Sequence, residues 1–186
     1  MAETSDDVIR VFVEIPKGSR NKYEWDEETG TMALDRRLFA AVSYPTDYGM
    51  IPETLAEDGD ELDAMVALTE PTFPGCTIRA NPIALLRIKD AEKRNDKILA
   101  VPLTDPGWNT LEELDDLPEQ LADEIVHFFD VYNDLEGGDW EIEGWGSRDE
   151  ALEHVERARQ RYRESGVDAP SAAAYQRASR CSTNWP

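Results

Sequence analysis

The sequence is short of three things, and each shortage removes a class of explanation. Its two cysteines, Cys76 and Cys181, give neither a disulfide framework nor metal-ligand spacing, so both are expected as free thiols in a reducing compartment. No apolar run approaches the roughly 20 residues that a membrane span needs. The opening Met1-Ala-Glu-Thr-Ser-Asp-Asp7 has neither the basic nor the apolar stretch of a secretory signal, and the expected location is the cytoplasm. Positive charge is the third shortage: nineteen Lys and Arg face forty Asp and Glu, for a formal net charge of -21. Such a surface repels nucleic acid and anionic membranes, so neither is expected as a partner. Within the basic set only Lys17, Lys22, Lys89, Lys93 and Lys97 are lysines. An acidic, lysine-poor surface resembles that of proteins from organisms with high internal salt, where screening suppresses self-repulsion.

What remains is ordinary for a folded chain. With 186 residues, 40% of them hydrophobic, it can bury one substantial core without staples. Residues 8–16 are dense in β-branched side chains and end on Pro16, the pattern of a strand. Residues 22–38 hold two short alternating stretches around Asp26-Glu-Glu-Thr-Gly30, a hairpin signal. Further strands are expected over 63–69, 77–89 and 97–102, and turn signals about every ten residues suggest a small antiparallel barrel. After Trp108 the period changes. Leu121, Ile125, Phe128, Phe129 and Tyr132 fall at helical spacing, and 148–164 reads as a second, charged helix. Ser147 and Glu150 form the two halves of a capping box. The expected fold class is α+β: a β-barrel with two C-terminal helices over residues 1–165, followed by a tail over 166–186 rich in Ala, Ser, Arg and Pro.

Chemistry concentrates in Asp58-Gly-Asp-Glu-Leu-Asp63, directly before the apolar run 64–68. Crowded carboxylates repel one another unless a multivalent cation neutralises them, and oxygen ligands suit a hard ion such as Mg²⁺. A solvated acidic turn is the competing reading, and spacing alone does not separate the two. An EF-hand does not fit, because the twelve-residue register ending in Glu is missing. A second acidic stretch, Asp90-Ala-Glu-Lys-Arg-Asn95-Asp96-Lys97, reads by itself as a hairpin loop. Lys22, Arg36, Lys97 and the phenols around Tyr44-Pro-Thr-Asp47-Tyr48-Gly49 pass individually as surface or core-edge residues. Beside a carboxylate-bound metal they are the groups that hold a phosphate.

The hexapeptide resembles the Asp-Gly-Asp-x-x-Asp signature of family I soluble inorganic pyrophosphatases. The resemblance runs from about residue 8 to 165, through Val13-Glu14-Ile-Pro16, Asn21-Lys22-Tyr-Glu24, Leu34-Asp35-Arg36, Tyr44-Pro-Thr-Asp47-Tyr48-Gly49 and Phe73-Pro-Gly75. It continues through Asp96-Lys97-Ile-Leu-Ala-Val-Pro102, Asp116-Leu-Pro118 and His127-Phe-Phe-Asp-Val-Tyr132. It implies an OB-type barrel of five strands with flanking helices, Mg²⁺ as cofactor, pyrophosphate as substrate and a homohexamer built as two trimers, with His127 near the trimer contact. Carried over by position, Asp58 and Asp63 are implied Mg²⁺ ligands, Asp60 the residue that orients and deprotonates the attacking water, and Asp90 a further ligand. Lys22, Arg36, Tyr48, Lys97 and Tyr132 match phosphate-binding positions, and Glu14 and Glu24 supporting acidic ones.

Two positions depart from the family pattern. The second metal-binding aspartate of the 90–97 loop falls on Asn95, so either Asp96 substitutes through a small shift or one metal site is weakened. After Tyr132, where the family usually has a phosphate-binding lysine, stands Asn133. Both imply looser binding and a raised Mg²⁺ requirement. The expected activity is metal-dependent pyrophosphate hydrolysis without a covalent intermediate. The alternatives are a weakly active metal- and phosphate-binding relative, and, against the charge, an OB-type nucleic-acid module.

Overall fold

Strand β1 (Ile9–Ile15) buries Ile9, Val11, Phe12, Val13 and Ile15, which fits a strand covered on both faces. The computed structural model describes residues 7–26, 28–90, 93–136 and 140–166. Strands β2 (Asn21–Asp26) and β3 (Thr31–Arg37) form the expected hairpin, a separate two-stranded sheet. Its turn is closed by the Asp26 carboxylate, which accepts from the Glu28 and Thr29 N–H groups at 2.9 and 3.2 Å.

The main sheet holds β4 (Asp47–Ile51), β5 (Leu62–Val66), β6 (Thr77–Asp90), β7 (Lys93–Arg94), β8 (Lys97–Pro102) and β9 (Trp140–Gly146). Pairings run from β1 to β4, β5, β8 and β6, and β6 returns to β1, so five strands pair in a ring. The ring is not all antiparallel as expected, because β5 and β8 run parallel. Parity requires this: an odd number of strands cannot alternate direction all the way round. Strands β4, β7 and β9 were not anticipated. β7 and β9 extend the sheet along the far end of β6.

Two helices cover two faces of this sheet. α1 (Glu119–Glu136) turns Ile125, Phe128, Phe129 and Tyr132 inward, onto Met65, Leu86, Leu99 and Val101. Full burial of such side chains contributes about 1.5–3 kcal/mol each. α2 (Arg148–Ser165) begins at the expected capping box, Glu150 N–H donating to Ser147 Oγ and Ser147 N–H to Glu150 Oε2 at 2.8 Å. It buries Ala151, Val155 and Ala158 against Ala64, Leu85, Ile98 and Ala100. The period of two is plain in β8, where Leu99 and Val101 join the α1 side and Ile98 and Ala100 the α2 side. Gly166, at φ +64°, caps α2; the expected tail beyond it lies outside the described residues. Among the described residues no helix is long and apolar enough to cross a membrane.

Candidate active site

On the α1 side of the ring, between its mouth and the β2–β3 hairpin, opens a cavity of about 630 Å³. The acidic turn reaches it through local geometry. Buried Thr54 donates to the Ile51 carbonyl at 2.5 Å and accepts from the Leu62 N–H at 2.9 Å, closing the base of the loop. The Ala56 N–H donates to the Asp60 carbonyl at 2.7 Å. Between the first two acids Gly59 adopts φ +109°, a backbone that L side chains rarely take, and Asp58 and Asp60 both line the cavity. Asp63 follows from β5 and Glu61 joins them.

Cations enter from three other strands. Lys22 and Arg36 sit directly opposite each other across the hairpin, beside a bulge at Lys22/Tyr23. Like charges in register are unfavourable unless anions share them. Here Glu24 takes Lys22 at 2.5 Å, and Asp35 pairs with both cations. Lys97, buried at the start of β8, reaches across the parallel pair to Asp63 Oδ2 and also donates to Asn95 Oδ1. Arg36 Nη2 donates to the Tyr132 hydroxyl at 3.0 Å. The Tyr132 ring stacks on Trp140, centroids 5.5 Å apart, so α1 and β9 together hold that phenol at the cavity wall. Gly49 has no room for a side chain, since a Cβ there would lie 1.9 Å from the Phe12 carbonyl oxygen; this close approach of β4 to β1 sets the depth of neighbouring Tyr48.

The charge state reflects this crowding. Glu14 is pushed up to about 8 by burial and by the nearby Asp63 and Glu24, although the Trp25 N–H donates to it at 3.1 Å. Asp60 is raised by burial and by Asp58 and Asp63. Tyr48 is held far above its usual range by burial, with Asp63 beside it. A cavity in which carboxylate oxygens cluster and Glu14 and Asp60 are raised fits a hard divalent cation. Among the described residues no three Asp, Glu, His or Cys side chains converge closely enough to enclose an ion by themselves.

Most of the expected site residues meet here: Glu14, Lys22, Glu24, Arg36, Tyr48, Asp58, Asp60, Asp63, Asn95, Lys97 and Tyr132 all line the one cavity. Asp96 does not. Its carboxylate is buried on the opposite side, accepting from the Ile88 N–H at 2.9 Å and from Arg94 Nη2 at 2.7 Å, with His154 of α2 at 3.7 Å. Asn95 and Asp96 lie in the connection between β7 and β8, where Asn95 and Lys97 face the cavity and the residue between them faces α2. Asp96 therefore cannot stand in for Asn95 without reversing that register. Asp90 ends β6 opposite Trp140 and Lys93, but its side chain, like that of Asn133, lies outside the described residues. His127 is exposed on α1. Sequence reasoning passed over Glu61 and Trp140 as site residues, both of which line the cavity. Glu61 lay inside the quoted hexapeptide, and the Trp-Glu-Ile-Glu alternation at 140–143 carried a readable strand signal.

The chain as a whole has close relatives. A family model described as inorganic pyrophosphatase matches residues 11–163. The chain belongs to the inorganic pyrophosphatase family. It is 52% identical over 161 residues to an inorganic pyrophosphatase of Methanosarcina acetivorans, covering 87% of this chain and 96% of that one. A Streptomyces coelicolor inorganic pyrophosphatase is 52% identical over 158 residues, 84% of this chain and 96% of the relative. Among solved structures, the crystal structure of inorganic pyrophosphatase from Thermus thermophilus superposes with a TM-score of 0.82 at 38% identity, over 87% of this chain and 95% of that one.

Proposed function

We propose that this member of the inorganic pyrophosphatase family hydrolyses pyrophosphate to two phosphates by direct attack of water, with Mg²⁺ as its cofactor. One observation carries the reading: carboxylates Asp58, Asp60 and Asp63 and cations Lys22, Arg36 and Lys97 face a single cavity. Its volume of about 630 Å³ leaves room for a small polyanion with its counterions.

Lys22 and Arg36, opposed across the hairpin, bind oxygens of one phosphoryl group, and the Tyr132 hydroxyl adds a neutral donor beside Arg36. Lys97 neutralises charge that develops on the bridging and leaving oxygens, and its burial makes that interaction stronger than it would be in water. Asp58 and Asp63 would hold Mg²⁺, which when bound would supply charge neutralisation for the substrate and a lowered pKa for water. Asp60, at the exposed end of the turn, orients the attacking water and accepts its proton. Because water attacks, no side chain forms a bond to phosphorus.

A homo-oligomer is part of this reading, supported by the exposed large apolar side chains Leu34, Phe39 and Phe73, and sedimentation velocity measures it. The activity test is phosphate release from pyrophosphate across a Mg²⁺ titration, with a chelator control, at low and at multimolar salt. Release that depends on Mg²⁺ is expected, and no release under any of these conditions would overturn the proposal. The acidic, lysine-poor composition favours retention of activity in multimolar salt.

A further inference from the structure

No residue of α2 lines the cavity, yet the acidic turn is tied to this helix. Both backbone polar groups of Leu55 end on α2. Its N–H donates to the Ala158 carbonyl at 3.0 Å, and its carbonyl accepts from Arg161 Nε at 2.7 Å. The next residue, Ala56, donates its N–H to the Asp60 carbonyl at 2.7 Å and closes the turn that bears Asp58 and Asp60. The path from the guanidinium to the acids is therefore one charge-assisted hydrogen bond, one peptide unit and one turn-closing bond. Within a helix the Ala158 carbonyl already serves the fourth residue on, so the Leu55 N–H shares an acceptor. The Arg161 contact, with its ionised donor, is the stronger half of the grip. On the other side of Leu55, Thr54 locks the loop base. Between these two anchors the turn has little freedom to slide.

We infer that Arg161 is a positioning residue for the metal-binding turn: from the face of the sheet away from the cavity it fixes where Asp58 and Asp60 stand. This inference rests on the metal reading of Asp58 proposed above. Arg161 does not line the cavity, and it acts through Leu55.

The test uses the full chain and two α2 variants that lose stability by different routes. Arg161→Ala removes the grip on Leu55, whereas Ser147→Ala removes the helix cap and leaves Leu55 untouched. Mg²⁺ binding is measured by calorimetry without pyrophosphate, alongside amide exchange over residues 55–61. Arg161→Ala is expected to weaken Mg²⁺ binding about tenfold, at the lower end of what groups supporting metal ligands contribute. Exchange over 55–61 should accelerate, while KM for pyrophosphate at saturating Mg²⁺ stays within about twofold. Arg161→Lys, which keeps one donor, should fall between. Ser147→Ala should lower the thermal midpoint with unchanged Mg²⁺ affinity. Mg²⁺ affinity within about twofold of wild type in Arg161→Ala would overturn the inference, as would an equal loss in Ser147→Ala at a matched midpoint. If Arg161→Ala does not fold, Arg161→Lys carries the test, and an unchanged Mg²⁺ affinity and exchange rate in it overturns the inference. Failure of the wild-type chain to bind Mg²⁺ would overturn the metal reading instead, so the two failures are distinct.

Discussion

The turn Asp58–Asp63 and the strap Asn95–Lys97 enter neighbouring parallel strands and are joined by the Lys97–Asp63 ion pair, but they distribute their side chains differently. In the turn, Gly59 bends the backbone so that Asp58, Asp60, Glu61 and Asp63 all line the cavity. The strap leads from β7 into β8 and sends Asn95 and Lys97 to the cavity and Asp96 to the α2 side. The turn brings four acids to one cavity, whereas the strap sends its single acid away from it. Acidic composition marks both segments alike. Backbone geometry decides which acids reach the substrate.

The largest test of this contrast is Asp60→Asn. It should lower phosphate release by about 10²–10⁴-fold, the range for losing a proton acceptor, with circular dichroism unchanged. Asp96→Ala should do the reverse, costing stability while activity falls far less. About 2 kcal/mol is expected in urea unfolding, less than for a fully buried pair because Arg94 stays partly exposed. A variant at Asp96 that lost activity but kept its stability would break the comparison. Thr54→Val keeps the shape of the first loop but strands the Leu62 N–H and the Ile51 carbonyl, at about 1–2 kcal/mol in the same measurement. Smallest is Asn95→Asp, which adds a cavity-facing carboxylate. It should move the Mg²⁺ activation curve to lower concentration by a few-fold, and an unmoved curve would show that Asn95 has no part in metal binding.

Much of this was legible before any tertiary contact was known. The β-branched density of 8–16, the hairpin around Asp26 and Gly30, the helical spacing of Ile125, Phe128, Phe129 and Tyr132, and the Ser147–Glu150 box are all local signals, and each element formed within a few residues of where they placed it. β4 was hidden because Asp47–Ile51 contains a glycine whose value lies in its approach to β1. β9 was passed over between two helices although Trp140-Glu-Ile-Glu143 alternates, and its pairing with the distal half of β6 is what extends it to Gly146. Of the site, residue identities and the acidic hexapeptide could be read directly. The meeting of Lys22 and Arg36 with Asp58 and Asp63 could not, since no local signal reports contacts between distant segments.

By itself, then, the sequence determined the segments, their periods, the cap of α2 and the chemical types available for a polyanion and its metal. Those properties depend on side chains a few residues apart, where covalent spacing and local propensity act. The tertiary structure alone decided that β5 and β8 run parallel, that the hairpin cations face the acidic turn, that Asp96 turns toward α2, and that Arg161 grips Leu55 from behind. Each of these depends on which strand pairs with which, and that is settled by burial and hydrogen bonding across the whole chain.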